Sequence, residues 1–185
     1  PVDFADRITA DHAIINDNDA SREQDKEVLF IYDIATKWLQ GYPCKTKTTQ
    51  ETTKHFQRFL GPQTKAKHCY SDNAGELKGA CADLSISHDT CRDHRSETNS
   101  VAERCVRRGR ECCSCVLEQS GFDLGWWPEA MVIALFLHCI VDQFEYPDGE
   151  VCTPYERRWK EEFRGPIIPM GAAVTYKPQS EKRVN

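Results

Sequence analysis

The chain has 185 residues, 39% of them hydrophobic and 10% aromatic, and this composition fits one globular domain with a sizeable core. Its formal net charge of −5 argues against a dedicated nucleic-acid coat protein. No apolar run reaches the ~20 residues that a membrane-spanning helix needs. The longest run, residues 130–141, is interrupted by His138 and is predicted to be a buried helix.

The ten cysteines do not indicate a secreted disulfide scaffold, because the chain is long and opens without the basic and apolar regions of a signal peptide. We interpret them as reduced thiols of a protein in the nucleus or cytoplasm. The chain begins with Pro1, which predicts a fragment of a longer polypeptide.

The first half of the chain predicts a sheet with one long helix. Three apolar segments with strand character precede the helix, at 7–15, 28–32 and 38–42. Thr48 and Glu51 have capping-box spacing and predict a helix that ends at Gly61. A fourth strand is expected to end at Asp72, before a turn of small residues.

The second half is predicted to be mainly helical. After a short helical or irregular piece, a brief strand is expected at 84–87, followed by a polar loop. Asn99 is predicted to cap a helix that runs to about Ser120, with Gly109 disturbing its pattern. A last long helix starts near Trp126. We predict a core at 1–148 and an appendage at 149–185 that holds a short helix and an extended β segment.

The order of these elements is not a simple alternation of strands and helices. Three early strands with short links suit an antiparallel meander, to which crossover helices add parallel strands. The predicted fold class is therefore α/β, with a mixed sheet and helices on both faces.

Three carboxylates stand out as candidate metal ligands. Asp11 lies mid-strand, Asp72 lies at the rim of the sheet, and Glu103 lies one turn into a helix. Mg²⁺ prefers oxygen ligands, and three such groups can hold two ions ~4 Å apart for phosphoryl transfer. The simpler interpretations are a helix cap for Asp72 and an ordinary first-turn glutamate for Glu103.

The segments around these carboxylates resemble the integrase catalytic core of retroviruses and copia-like retrotransposons. The resemblance rests on ITADH at 8–12, SDNAGE at 71–76, NSVAER at 99–104, GWWPEA at 125–130 and TPYE at 153–156. It implies an RNase H-like fold, with a mixed five-stranded sheet flanked by helices. It also implies a catalytic and metal-binding triad of Asp11, Asp72 and Glu103 that uses two Mg²⁺ or Mn²⁺ ions. The implied reactions are DNA 3′-end processing and strand transfer. A homo-oligomer would carry them out on the ends of the element and on target DNA, and no membrane would be involved.

Three further residues are candidate DNA contacts. Arg107 and Arg110 follow Glu103 at i+4 and i+7 on one helix face, where they could meet phosphates beside the metals. Ordinary i,i+4 pairing on a solvated face remains an equal alternative. Asn99 stands where the resembled family has Asn followed by Gly, and here Ser100 replaces that Gly.

Two other interpretations stay open. A degenerate integrase fold could serve as a DNA-binding or dimerisation module without catalysis, and Ser100, Gly109 and the net charge favour it. A metal-dependent nuclease on the same fold would use the same triad. Cys81, His88, Cys91 and His94 form a Cys/His series, but their spacing is not that of a standard zinc site.

Overall fold

The computed structural model describes residues 1–15, 21–90 and 100–175. Seven strands are present in this part of the chain: β1 (Ile8–Ile14), β2 (Glu27–Asp33), β3 (Leu39–Cys44), β4 (His68–Ser71), β5 (Ser87–Thr90), β6 (Phe144–Glu145) and β7 (Val151–Cys152). The α-helices of this part are α1 (Thr49–Leu60), α2 (Gly75–Asp83), α3 (Ser100–Ser120), α4 (Trp127–Val141) and α5 (Pro154–Trp159).

The main sheet is mixed and five-stranded, as predicted, in the order β3-β2-β1-β4-β5. The meander β1-β2-β3 is antiparallel, whereas β4 runs parallel to both β1 and β5. Phe30 on β2 meets α3 at Gly109, and His12 on β1 contacts Thr52 of α1. Helices therefore cover both faces of the sheet.

Local signals account for most element boundaries. Thr48 caps α1 as predicted, since its side chain accepts the N–H of Glu51. β3 continues through Pro43 to Cys44, which is possible because β3 is an edge strand. β5 starts at Ser87, three residues later than expected, because residues 84–86 form the turn that closes α2.

The predicted disturbance of α3 at Gly109 is wrong. The helix runs unbroken from Ser100 to Ser120, and Gly109 is buried against β2. A Cβ atom built at Gly109 would lie 2.9 Å from Cζ of Phe30, which is closer than real Cβ contacts allow. The glycine lets α3 approach the sheet, so it is a packing requirement and gives no support to a degenerate chain.

Gly109→Ala is expected to destabilise the fold by about 1–3 kcal/mol, because the added methyl overlaps the Phe30 ring. Helix propensity alone predicts the opposite sign, a gain of about 1 kcal/mol. Urea denaturation would measure the difference. Gly75→Ala in α2 is the control, since a Cβ there meets nothing within 4 Å. An unchanged or increased stability of the Gly109 variant would contradict the packing role.

The helix α4 is the buried helix predicted from residues 130–141. Leu124–Val141 is long and apolar enough to cross a membrane by length and composition alone. In the structure, α4 packs against α3 and β3 and buries an apolar set in the core: Ala130, Met131, Ala134 and Leu135. Packing within the domain therefore explains the apolar character of the buried face of this segment, whereas Leu124, Val132 and Val141 are exposed.

The residues after 148 begin inside the β6–β7 hairpin, so the predicted division at 148/149 falls in its turn. The predicted short helix is α5, which opens with a capping box of Thr153 and Glu156. No strand is present in residues 160–175, so the β structure expected there is not formed in the part that is described. Pro166 and Pro169 have no N–H to donate to a strand pair. The division into core and appendage stays a prediction.

Candidate active site

Asp11 lies on β1, and Asp72 directly follows the end of the parallel strand β4. β1 and β4 pair Thr9 with Tyr70 and Ala10 with Ser71, so the next residue along each chain segment is Asp11 or Asp72. Residues at matching positions of parallel neighbours point to the same face of a sheet. Both carboxylates are half-buried.

Asp72 is held by local hydrogen bonds beyond the end of β4. Its Oδ1 accepts the N–H of Ala74 at 3.1 Å, and its carbonyl accepts the Ser71 hydroxyl at 2.9 Å. Ser71 in turn lies 2.8 Å from Nε2 of His88. The residue at the N-cap of α2 is Ala74, so Asp72 forms an Asx turn and does not cap the helix. This turn orients the carboxylate at the rim of the sheet.

Glu103 reaches the same place from α3. Antiparallel pairing puts Asp11 opposite Phe30, so both side chains point to the sheet face that Gly109 of α3 touches. Glu103 is exposed in the first turn of that helix. Together with Asp11 it lines a groove of about 590 Å³ between β1 and α3.

The charges of Asp72 and Glu103 both act on the carboxyl group of Asp11. Burial, followed by the charge of Asp72 and then that of Glu103, raises the pKa of Asp11 to about 6. Lys47 acts in the opposite direction. Its effect was missed from the sequence, because Lys47 follows β3 and comes near β1 only through strand pairing. The fold therefore places the carboxyl group of Asp11 under the negative charges of Asp72 and Glu103.

The basic residues predicted to contact DNA have different surroundings. Arg107 and Arg110 line the same groove as Asp11 and Glu103. Arg110 donates from Nη2 to the carbonyl of Ile14, which fixes its guanidinium against β1. Among the described residues, the alternative ion pairs of Arg107 with Glu103 and with Glu111 are not formed. Asn99 lies outside the described residues.

The Cys/His series does not come together in the part of the chain that the structure describes. Cys81 hydrogen-bonds Cys69 in the core, whereas His88 bonds Ser71 at the sheet surface. Cys91 and His94 lie outside the described residues. The described cysteines are free thiols.

Asp11→Asn is expected to stabilise the metal-free protein at neutral pH. Because the folded-state pKa of Asp11 is raised, its contribution to stability is complete below pH ~4 and is lost as the pH rises through about 6. At pH 8 the variant gains at most about 3 kcal/mol in the free energy of unfolding, and screening by solvent in the groove reduces this gain. Urea denaturation in EDTA at pH 4 and pH 8 would measure it. A gain that does not change with pH would contradict the raised pKa of Asp11.

Comparisons with known proteins identify two curated relatives. The chain is 29% identical over 136 residues to the retrovirus-related Pol polyprotein from transposon RE1 of Arabidopsis thaliana. It is 28% identical over 136 residues to that from transposon RE2. Each match covers 70% of this chain and 9% of the polyprotein, so the chain spans about a tenth of the length of these relatives. No protein-family model matches the chain.

Solved structures give the architecture. The catalytic core domain of HTLV-2 integrase, in complex with magnesium in a trimeric form, has a TM-score of 0.62 at 16% identity and covers 85% of this chain and 97% of its own. The chain has the fold of an integrase core of the RNase H-like superfamily. This integrase-like core also matches a simian T-cell lymphotropic virus intasome in complex with PP2A regulatory subunit B56 gamma. That match has a TM-score of 0.66 at 16% identity over 96% of this chain and 62% of the other. The catalytic core domain of BIV integrase matches with a TM-score of 0.58 at 15% identity. That match covers 84% of this chain and 95% of the BIV chain.

Proposed function

We propose that this integrase-like core catalyses metal-dependent DNA 3′-end processing and strand transfer. The observation that supports this best is the parallel pairing of β1 with β4, which brings Asp72 beside Asp11, together with the groove that Asp11 and Glu103 line. Three carboxylates that repel one another at neutral pH are suited to bind divalent cations. The curated relatives are retrovirus-related Pol polyproteins from transposons, which is consistent with this proposal.

The residues of the triad fit Mg²⁺ or Mn²⁺. Asp11, Asp72 and Glu103 supply only oxygen donors, which is the ligand set that these ions prefer. When bound, two such ions activate the attacking hydroxyl and stabilise the leaving oxygen. The solved HTLV-2 core is a complex with magnesium.

The chain itself would position the DNA. We infer that Arg107 and Arg110 bind phosphates in the groove, beside the scissile bond. The contact of Arg110 with Ile14 preorganises its guanidinium, whereas Arg107 remains exposed for a phosphate. Asn99, which lies outside the described residues, stays a proposed DNA contact. Two solved structures with this fold are an intasome and a trimeric form of a catalytic core domain. We propose that this chain also acts as a homo-oligomer. We place it in the nucleus or cytoplasm.

A direct assay tests the enzyme proposal. The purified chain is incubated with a branched DNA substrate on which strand joining can be reversed, with Mg²⁺, with Mn²⁺ or with EDTA. Metal-dependent resolution of the branch is the expected result. Binding of DNA without any metal-dependent product would instead favour the non-catalytic module, which the net charge of −5 and Ser100 also favour. Hydrolysis without joining would favour the nuclease.

Arg107→Ala is expected to weaken DNA binding about equally for all sequences and to reduce the salt dependence by about one unit of slope, the amount for one phosphate contact. Fluorescence anisotropy at several salt concentrations would measure the slope. Arg104→Ala is the control, since Arg104 is equally exposed but does not line this groove. Equal slopes for the wild type and the Arg107 variant would place the DNA elsewhere.

A further inference from the structure

A second group of potential metal ligands lies on the other face of the sheet. His12 on β1, Glu27 on β2 and Cys44 on β3 each have one ligand atom within 4.8 Å of the other two. Glu27 and Cys44 are direct partners in the β2–β3 ladder, and His12 pairs with Leu29, two residues from Glu27. Because side chains alternate along a strand, the imidazole of His12 turns toward α1, where it contacts Thr52, although His12 also lines the edge of the groove that holds its neighbour Asp11.

Two of these ligands carry buried polar atoms that lack a hydrogen bond. Nδ1 of His12 and Oε2 of Glu27 have no hydrogen-bond partner among the described residues. Unsatisfied buried polar atoms are costly and need an explanation. The other atom of each side chain is engaged: Nε2 of His12 lies 3.3 Å from Oγ1 of Thr52, and Oε1 of Glu27 lies 3.6 Å from Nζ of Lys47. The free atoms are thus the ones available to an ion.

We propose that His12, Glu27 and Cys44 form a zinc-binding site with one open position for water. One nitrogen, one carboxylate oxygen and one thiolate sulfur are a ligand set typical of Zn²⁺, and the sulfur makes the site unsuitable for Mg²⁺. The carboxylates of Asp25 and Glu51 add negative charge around Cys44. The thiol ligand makes this site chemically distinct from the neighbouring Asp11 groove, which His12 also lines.

The approach of the ligands requires little movement. In tetrahedral zinc coordination, bond lengths of 2.0–2.3 Å put ligand atoms roughly 3.5 Å apart. In the structure, the three ligand atoms of His12, Glu27 and Cys44 lie within 4.8 Å of one another. The contact of His12 with Thr52 is the kind of outer hydrogen bond that orients a ligating imidazole. On binding, the Cys44 thiol loses its proton to solvent as the sulfur–zinc bond forms. The ion would connect β1, β2 and β3.

Cobalt substitution tests the site without any activity assay. The purified chain, with excess Mg²⁺ to occupy carboxylate sites, is titrated with Co²⁺ and then with Zn²⁺. We expect a thiolate-to-cobalt charge-transfer band that saturates at one equivalent and disappears on addition of Zn²⁺. Absence of the band in the wild type overturns the proposal.

Variants assign the band to these residues. Cys44→Ser should abolish it, whereas Cys113→Ser should keep it. Cys113 is a matched control, because both thiols are buried and donate to a backbone carbonyl, Cys44 to Glu27 at 3.6 Å and Cys113 to Trp127 at 3.4 Å. Glu27→Gln leaves the thiol in place and should weaken Zn²⁺ binding at least tenfold. The Zn²⁺ affinity of Glu27→Gln also tests the site if Cys44→Ser does not fold. A full band in Cys44→Ser, or unchanged affinity in Glu27→Gln, overturns the site.

Discussion

Glu103→Gln is expected to lower strand joining by roughly 10³-fold, the scale at which the loss of one transition-state charge interaction affects a rate. Glutamine keeps the size of the side chain and its place in the first turn of α3 but removes the negative charge that would hold a cation. Glu103 is exposed, so the fold should keep its stability within about 0.5 kcal/mol. Single-turnover rates on the branched DNA substrate, together with urea denaturation, would separate the two effects.

The control for this variant lies on the same helix. Glu118→Gln removes an identical charge from an exposed position of α3, almost at its other end, and should change the rate by no more than a few-fold. Equal rates for the wild type and Glu103→Gln would reject the enzyme proposal in favour of the non-catalytic module. An equal loss in both variants would show that net charge, and not a specific ligand, limits the reaction.

Asp33→Ala is expected to destabilise the fold by about 4 kcal/mol, because it leaves three buried donors without an acceptor. Asp33 ends β2 with no solvent exposure. Its Oδ1 accepts the N–H of Ala5 at 2.8 Å, and its Oδ2 accepts the N–H of Thr36 at 2.8 Å and the Thr36 hydroxyl at 2.7 Å. Burial raises the pKa of this carboxyl, and the hydrogen bonds oppose that shift. Urea denaturation would measure the loss.

Two further variants show whether acceptors are the cause. Asp33→Asn keeps one oxygen and should lose about half as much stability as Asp33→Ala. Asp83→Ala removes an exposed carboxylate that accepts one hydroxyl, from Thr53, and should cost no more than about 0.5 kcal/mol. If Asp33→Ala and Asp83→Ala had the same effect, the buried network would contribute nothing specific.

The sequence was sufficient where the signal is local. Alternation identified β1, the compact apolar run identified β2, and the Thr48 cap identified the start of α1. α2 was recognised only in part, because its apolar residues do not form a strong stripe and a short polar helix has little periodicity. These differences follow from how much of an element's stability is encoded within its own residues.

What depends on tertiary pairing could be predicted less well. The five motifs indicated Asp11, Asp72 and Glu103 through a resemblance, but their proximity depends on the parallel pairing of β1 with β4, which are separated by the meander and α1. Gly109 was misinterpreted because helix propensity contains no information on the Phe30 ring. His12, Glu27 and Cys44 are too far apart in sequence to form a recognisable motif. Only the register of three strands brings them together.

The alternation of Asp11 and His12 on β1 limits which insertions and deletions this strand can accept over evolutionary time. A single residue inserted before Asp11 would turn its carboxylate toward α1 and turn His12 into the groove, so both sets of ligands would be lost at once. Two inserted residues would restore the faces but displace both side chains by roughly 7 Å along the strand. We therefore expect length changes between related chains to fall outside β1, and the number of residues between Ile8 and Ile14 to stay constant.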